Sequence, residues 1–306
     1  MNRKISKNFR VLVGSFAVIL MVSACSGGSD GDKSPAPGPS PIPTPPSNTT
    51  SCGGVIIGNE QNCITVDDRE IISYATNTTE QYSGIAIFLH GAPGSPGKVS
   101  NIFGSKMLAD KFNLVALSPQ GNSSPYEWNS SNKLTGTTPD VDFLLATIDD
   151  VQGRYSFNDD KVYIFGYSAG GFMAYKLACQ APERLTAVIA LAGQFRGDFD
   201  ACTTSTPVNL HHLHSTIDSD VPFDGRDNGD IASVPDTMSF WQQKNGCSAE
   251  SEEVIQGGVT AASTQTSTEK YTGCTKSVAL STLDGVTHED EYVAESLLAT
   301  YEYIFE

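Results

Sequence analysis

The stretch Lys161-Val162-Tyr163-Ile164-Phe165-Gly166-Tyr167-Ser168-Ala169-Gly170-Gly171 decides the fold. A β-branched and aromatic run enters G-x-S-x-G, and a helical pattern leaves it from Ala169 to Gln180. The glycines are required because a strand-to-helix turn this tight has no room for side chains beside the serine. Such a turn lifts the Ser168 hydroxyl to the carboxyl edge of a sheet. It also aims the Ala169 N–H, at the helix start, at a developing oxyanion.

Outward from this turn, strand and helix patterns alternate. Upstream, Gly84–Leu89 and Leu114–Leu117 are continuous apolar runs, as strands buried on both faces require. Asp140–Tyr155 carries Val141, Phe143, Leu144, Leu145, Ile148 and Val151 at helical spacing. Downstream, Leu185–Leu191 and Val208–Leu213 read as strands, and Thr237–Lys244 and Glu291–Tyr303 as helices. Before all of these, Cys63–Val66 and Arg69–Tyr74 flank Asp67-Asp68 and read as an antiparallel hairpin. The whole predicts an α/β fold, with a mostly parallel sheet and helices on both faces. No internal repeat is visible.

A serine nucleophile needs a base, and the chain has five histidines. His90 precedes the serine, the wrong chain order for the base after a turn of this kind. It opens His90-Gly91-Ala92-Pro93-Gly94, directly after the apolar run that ends at Leu89. His211, His212 and His214 fall in or just after the Val208–Leu213 strand. His212 and His214 share a face, but no third ligand at suitable spacing supports a metal there. His288 remains, in the loop Asp284–His288 between a late strand and the last helix. The orienting acid should follow a strand between serine and histidine. Asp218 comes first after the strand, and Asp220 and Asp224 are close enough to compete. The order Ser168, Asp218, His288 differs from that of trypsin and of subtilisin.

Composition limits the alternatives. The 306 residues carry a formal net charge of -16, and charged residues make up only 18%. Residues 1–51 hold five basic and two acidic residues, which leaves 14 basic and 33 acidic in residues 52–306. So acidic a surface repels phosphate backbones, which argues against nucleic acid as a partner. No run of 18 apolar residues exists, which argues against a polytopic membrane protein. Arg3, Lys4, Lys7 and Arg10 precede the apolar run Val11–Val22, a signal-peptide pattern too short to span a bilayer. Val22-Ser23-Ala24-Cys25 then resembles the lipobox of bacterial lipoproteins. That makes residues 1–24 a signal peptide and Cys25 a lipidation site and membrane tether. With Ser26 following, a Gram-negative cell would send it to the outer membrane. Residues 25–51, rich in Ser, Pro and Gly, cannot offset their ordering entropy and read as a stalk. Residues 52–306 form the folded domain. Setting Cys25 aside leaves six cysteines, an even number that suits disulfides in an exported chain. Proximity pairs Cys179 with Cys202 and Cys52 with Cys63.

Residues 62–304 resemble the α/β-hydrolase esterases grouped as polyhydroxybutyrate depolymerases and feruloyl esterases. The resemblance rests on Leu89-His90-Gly91, Ser118-Pro119-Gln120-Gly121 and Trp128, and then on Val141-Asp142-Phe143-Leu144. It is densest from Gly166 through Ala174-Tyr175-Lys176-Leu177-Ala178-Cys179. Pro222-Phe223-Asp224-Gly225, Trp241 and Asn245-Gly246-Cys247 complete it. The family implies an α/β-hydrolase fold, two-step acyl transfer at Ser168 and no cofactor or metal. It implies oxyanion donors at Ala169 and Ala92, with His90, Tyr167 and Trp128 beside the substrate, and a bridge between Cys247 and Cys274. The substrates it implies are hydroxyalkanoate esters or feruloyl and acetyl esters of plant polysaccharide. With no separate binding domain, soluble oligomers or side-chain esters are favoured over crystalline polymer. The chain departs from the family at Ala92-Pro93-Gly94, where more glycine is usual, and at Ser215, where glycine is usual. It departs again at Glu289-Asp290-Glu291, where Trp-Pro commonly follows the histidine, beside the substrate cleft. Two other readings are a serine peptidase of the same fold, and a silent, surface-tethered binding module.

Overall fold

The computed structural model describes residues 50–76, 81–122, 127–133 and 139–306. The expected signal peptide, Cys25 and nearly all of the stalk lie outside the described residues. The strands in chain order are β1 (Ser51–Cys52), β2 (Val55–Ile56), β3 (Asn62–Val66), β4 (Arg69–Tyr74), β5 (Tyr82–Leu89) and β6 (Leu114–Pro119). They continue as β7 (Phe157–Tyr167), β8 (Ala187–Leu191), β9 (Asn209–Ser215), β10 (Ser251–Gly257), β11 (Gln265–Tyr271) and β12 (Val278–Leu283). The α-helices are α1 (Pro96–Phe103), α2 (Ser105–Phe112), α3 (Pro139–Arg154), α4 (Ala169–Gln180), α5 (Val234–Lys244) and α6 (Ala294–Tyr301).

Ten strands form one sheet in the order β10-β11-β12-β9-β8-β7-β5-β6-β4-β3, and β1 pairs with β2 beside it. The run from β12 to β6 is parallel, and two antiparallel strands flank it on each side. The hairpin β3–β4 turns at Asp67 and Asp68, both at positive φ (48° and 60°), the turn whose twist matches two-residue hairpins.

Period-two alternation splits the apolar runs between two cores. Ile85, Ile87 and Leu89 face one way with Ile164 and Val188, against α3, α4 and α5. Ala86 and Phe88 face the other way with Phe165 and Ile189, against α1, α2 and α6. Covering both faces is what a parallel sheet requires. Helix α4 is buried along almost its entire length, which explains its weak amphipathic pattern. The three disulfides are Cys52–Cys63, Cys179–Cys202 and Cys247–Cys274, the pairing expected from the sequence. Among the described residues, no helix is long and apolar enough to cross a membrane.

Register sets where the loops emerge. Leu89 lies opposite Gly166, Tyr167 opposite Leu191, Leu191 opposite Leu213, and Ser215 opposite Leu283. The carboxyl ends of β5, β7, β8, β9 and β12 therefore share one edge, where open parallel sheets bind ligands. His90 to Pro93, Ser168, Asp218 and His288 all follow those ends.

Candidate active site

Ser168 occupies the first position after β7, at φ 55° and ψ −118°. A non-glycine residue in such a conformation stores about 1–3 kcal/mol of strain. Its N–H donates to Leu191 O at 2.9 Å, which ties the turn to the end of β8. A Cβ on Gly166 would lie 2.2 Å from Gly170 O, and one on Gly170 would lie 1.9 Å from Leu89 O. The two glycines let α4 start directly against the strand ends. Ala169, the first residue of α4, has an N–H with no acceptor inside the helix.

Three side chains from three loops meet here. Ser168 Oγ donates to His288 Nε2 at 2.9 Å, and His288 Nδ1 donates to Asp218 Oδ2 at 2.7 Å. Ser168 is 8% exposed, His288 6% and Asp218 5%, so bulk water barely screens the chain of bonds. The other carboxylate oxygen, Oδ1, accepts from the N–H groups of Val221 (2.8 Å) and Asp220 (3.0 Å). Burial pushes the Asp218 carboxyl up. The bonds from His288 and the Val221 N–H, with the fields of His288 and His214, outweigh burial and hold it below the usual carboxylate value. In this arrangement a proton leaving Ser168 has an acceptor at hydrogen-bond distance, and the resulting imidazolium has a carboxylate partner. Asp220 lines the cleft mouth, and Asp224 is exposed. Neither carboxylate bonds His288.

Tyr167, Trp128 and His90 stand behind these groups. The Tyr167 hydroxyl donates to the His288 carbonyl at 2.6 Å, and its ring stacks on the imidazole at 5.3 Å between centroids. Trp128 Nε1 donates to His90 O. His90 Nδ1 donates to Gly91 O, and its Nε2 accepts from Gly121 N–H at 2.9 Å. All three are buried and none lines the cleft, so they hold the loops that carry the site. Ala92 does line it, joined to Pro93 by a cis peptide bond.

A second line of bonds runs beneath Asp218. His214 Nε2 donates to Val221 O at 2.8 Å, so its Nδ1 accepts, and His212 Nε2 donates to it at 3.1 Å. His212 Nδ1 in turn accepts from the Tyr175 hydroxyl at 2.9 Å. Every ring nitrogen of the pair therefore has a protein partner, and neither is left to ligate a metal. His214 Nε2 also lies 3.5 Å from Asp218 Oδ2. The spacing of His212 and His214 put them on one face in the sequence. Their partner Tyr175, on α4, was not foreseeable from spacing.

These buried rings make stability depend on pH. Burial drives His212 well below the ordinary imidazole value, with the charges of His214 and His211 adding to it. On the other face of β9, burial aided by Lys270 pushes His211 down to about 3. In an unfolded chain the same rings titrate near about 6.5. Below that pH the unfolded state binds protons that the folded state refuses, so stability falls with pH. Between pH 7.5 and 5.5 the two rings are expected to cost about 3 kcal/mol. Denaturant midpoints at the two pH values measure this.

The cleft over Ser168 has a volume of about 540 Å³, within the range of small-molecule sites. Ala92, Pro93, Phe172 and Ile231 supply apolar wall, and Arg196 and Arg226 supply charge. Neither arginine was singled out in the sequence, since both come from loops that carry no motif.

Residues 87–224 match the family described as the alpha/beta hydrolase fold. The chain has the α/β-hydrolase fold. It superposes on an acetyl xylan esterase from Aspergillus awamori with a TM-score of 0.59 and 15% identity, covering 80% of this chain and 99% of that one. In sequence, the chain is 30% identical over 145 residues to the esterase-named protein NocK of Nocardia uniformis subsp. tsuyamanensis. That match covers 46% of this chain and 42% of NocK. It is 26% identical over 150 residues to a bifunctional acetylxylan esterase/xylanase of Neocallimastix patriciarum, covering 49% of this chain and 21% of that protein. The chain thus spans less than half the length of these two relatives.

Proposed function

We propose that this protein is a serine carboxylic-ester hydrolase. The observation that carries the reading is the buried bond chain from Ser168 through His288 to Asp218, with its serine on a strained turn. His288 Nε2 takes the Ser168 proton as Oγ attacks the ester carbonyl carbon. The N–H groups of Ala169 and Ala92 bind the oxyanion, one such donor contributing about 3 kcal/mol. His288 then gives the proton to the departing alkoxide, leaving an acyl ester on Ser168. Water, deprotonated by the same nitrogen, cleaves that ester and restores the serine. Asp218 keeps the Nδ1 proton in place and stabilises the imidazolium.

The names of the sequence relatives support an ester substrate: one is an acetylxylan esterase/xylanase and two are feruloyl esterases. Feruloyl and acetyl esters of plant polysaccharide are thus our first substrate classes, ahead of hydroxyalkanoate esters. A panel of the three classes beside a chromogenic acetate tests this. The hydrolase reading requires turnover of the chromogenic ester and organophosphonate labelling at Ser168. A folded protein that does neither is a binding module instead.

The same reading has the chain exported and tethered through Cys25. Its three disulfides fit an oxidising compartment. Mass spectrometry of the membrane fraction is expected to find a mature N-terminus at Cys25 bearing acyl chains. A soluble form cut elsewhere would refute the tether.

A further inference from the structure

Five arginines fall among the described residues: Arg69, Arg154, Arg184, Arg196 and Arg226. Arg69 pairs with Asp140 at 2.7 Å, Arg154 with Asp150, and Arg184 with Asp149 at 2.5 Å. Arg196 and Arg226 make no ion pair among the described residues, although acidic residues outnumber basic ones 33 to 14 from residue 52 onward. These two arginines share one cleft with Ser168 and His288. The contrast with Arg69 is local too. That side chain borders a separate cavity of about 480 Å³, and there its charge is already matched by Asp140.

Both guanidiniums are oriented by neutral groups. Arg196 Nε donates to Gly229 O at 2.8 Å, and its Nη1 donates to Ser130 Oγ at 3.2 Å. Arg226 Nε donates to Asn228 O at 3.0 Å, and its Nη1 donates to Asp220 O at 3.2 Å. The segment they grip is closed on itself, since Arg226 and Ile231 exchange backbone bonds at 2.8 and 3.0 Å. Each arginine keeps three N–H donors outside these bonds. The acids of the cleft do not take them. Glu289 pairs with Lys98, Asp220 offers Arg226 its carbonyl, and neither it nor Glu127 brings a carboxylate within 4.0 Å of a guanidinium. A fixed guanidinium fork matches a carboxylate in charge and geometry.

We propose that the cleft selects esters carrying a free carboxylate, which Arg196 and Arg226 bind while Ser168 attacks the ester. This specificity rests on the hydrolase reading above. The carboxylate can belong to the alcohol half of the ester or to the acyl half, and two probe pairs separate these. For the alcohol half, 4-acetoxybenzoate is compared with neutral 4-acetoxybenzamide. For the acyl half, the monophenyl ester of adipic acid is compared with phenyl hexanoate. In at least one pair, kcat/KM for the charged ester is expected to exceed that for the neutral one by about tenfold, the scale of a charge-assisted hydrogen bond.

Arg226→Gln is expected to bring that ratio close to one, and Arg226→Glu to invert it. Arg226 is exposed on a turn, so its replacement leaves the core intact. Arg196→Lys is expected to keep part of the preference that Arg196→Gln loses. A ratio of one or less in both pairs overturns the proposal and leaves the hydrolase reading standing. So does a ratio that neither glutamine variant moves. Turnover of none of the four esters takes down both.

Discussion

Ser168→Ala is expected to lower ester turnover by on the order of 10⁶-fold, the loss seen when a triad nucleophile is removed. The residual rate comes from the oxyanion donors and from binding, which do not need the hydroxyl. The fold should survive, because the Ser168 N–H to Leu191 O bond and the start of α4 belong to the backbone. The strained φ of 55° adds a second, independent readout. Alanine at this position keeps the strain, whereas glycine releases it. Ser168→Gly should therefore recover about 1–3 kcal/mol of strain and lose about 0.5–1 kcal/mol to chain entropy. It is expected to be inactive and more stable than the wild type, with a midpoint raised by a few degrees. Equal melting of wild type and Ser168→Gly would show that the turn stores no strain. Full turnover in Ser168→Ala would move the nucleophile elsewhere.

The parallel centre of the sheet was legible because strands buried on both faces are written as unbroken apolar runs. Gly84–Leu89 and Val162–Phe165 are of that kind, and their ends set the ends of the site. The edge pair was not legible. Ser251–Gly257 is nearly all exposed, with Val254 and Ile255 in solvent, and Gln265–Tyr271 is polar along its length. Neither strand alternates strongly enough to read. Helices α1 and α2 were missed for a different reason. Each is only eight residues long, and the break at Gly104 divides their apolar pattern into two short pieces. Their boundary signals were nevertheless there: Ser95 caps Lys98 N–H, Pro96 opens α1, and Gly104 ends it at φ 64°. In the site, Ser168, Asp218 and His288 were readable because chain order and strand ends constrain them. His90, Trp128 and Tyr167 were drawn from likeness alone, and the fold places them as supports behind the cleft. The arginines on the cleft had no signal, since residues 196 and 226 meet only through irregular loops.

Asp218→Asn is expected to lower turnover by on the order of 10⁴-fold with the fold retained, the scale known for a serine protease. The hydrogen bonds around Asp218 say why. Its Oδ1 accepts from two backbone N–H groups, Val221 and Asp220, so an asparagine must keep its carbonyl oxygen there. The amide NH₂ then faces His288 Nδ1 in place of a carboxylate oxygen. A donor facing Nδ1 is compatible only with a ring protonated at Nε2. That proton stands where the Ser168 hydroxyl hydrogen must arrive, so the ring can no longer act as a base toward Oγ. The imidazolium also loses its charged partner. Asp220→Asn should cost far less, because Asp220 serves this network only through its backbone N–H. Asp224→Asn should likewise have little effect on turnover, since its carboxylate is exposed and bonds nothing in the triad. Steady-state kinetics of the three variants decide the matter: if Asp218→Asn keeps wild-type turnover while Asp220→Asn or Asp224→Asn loses it, the acid is misassigned.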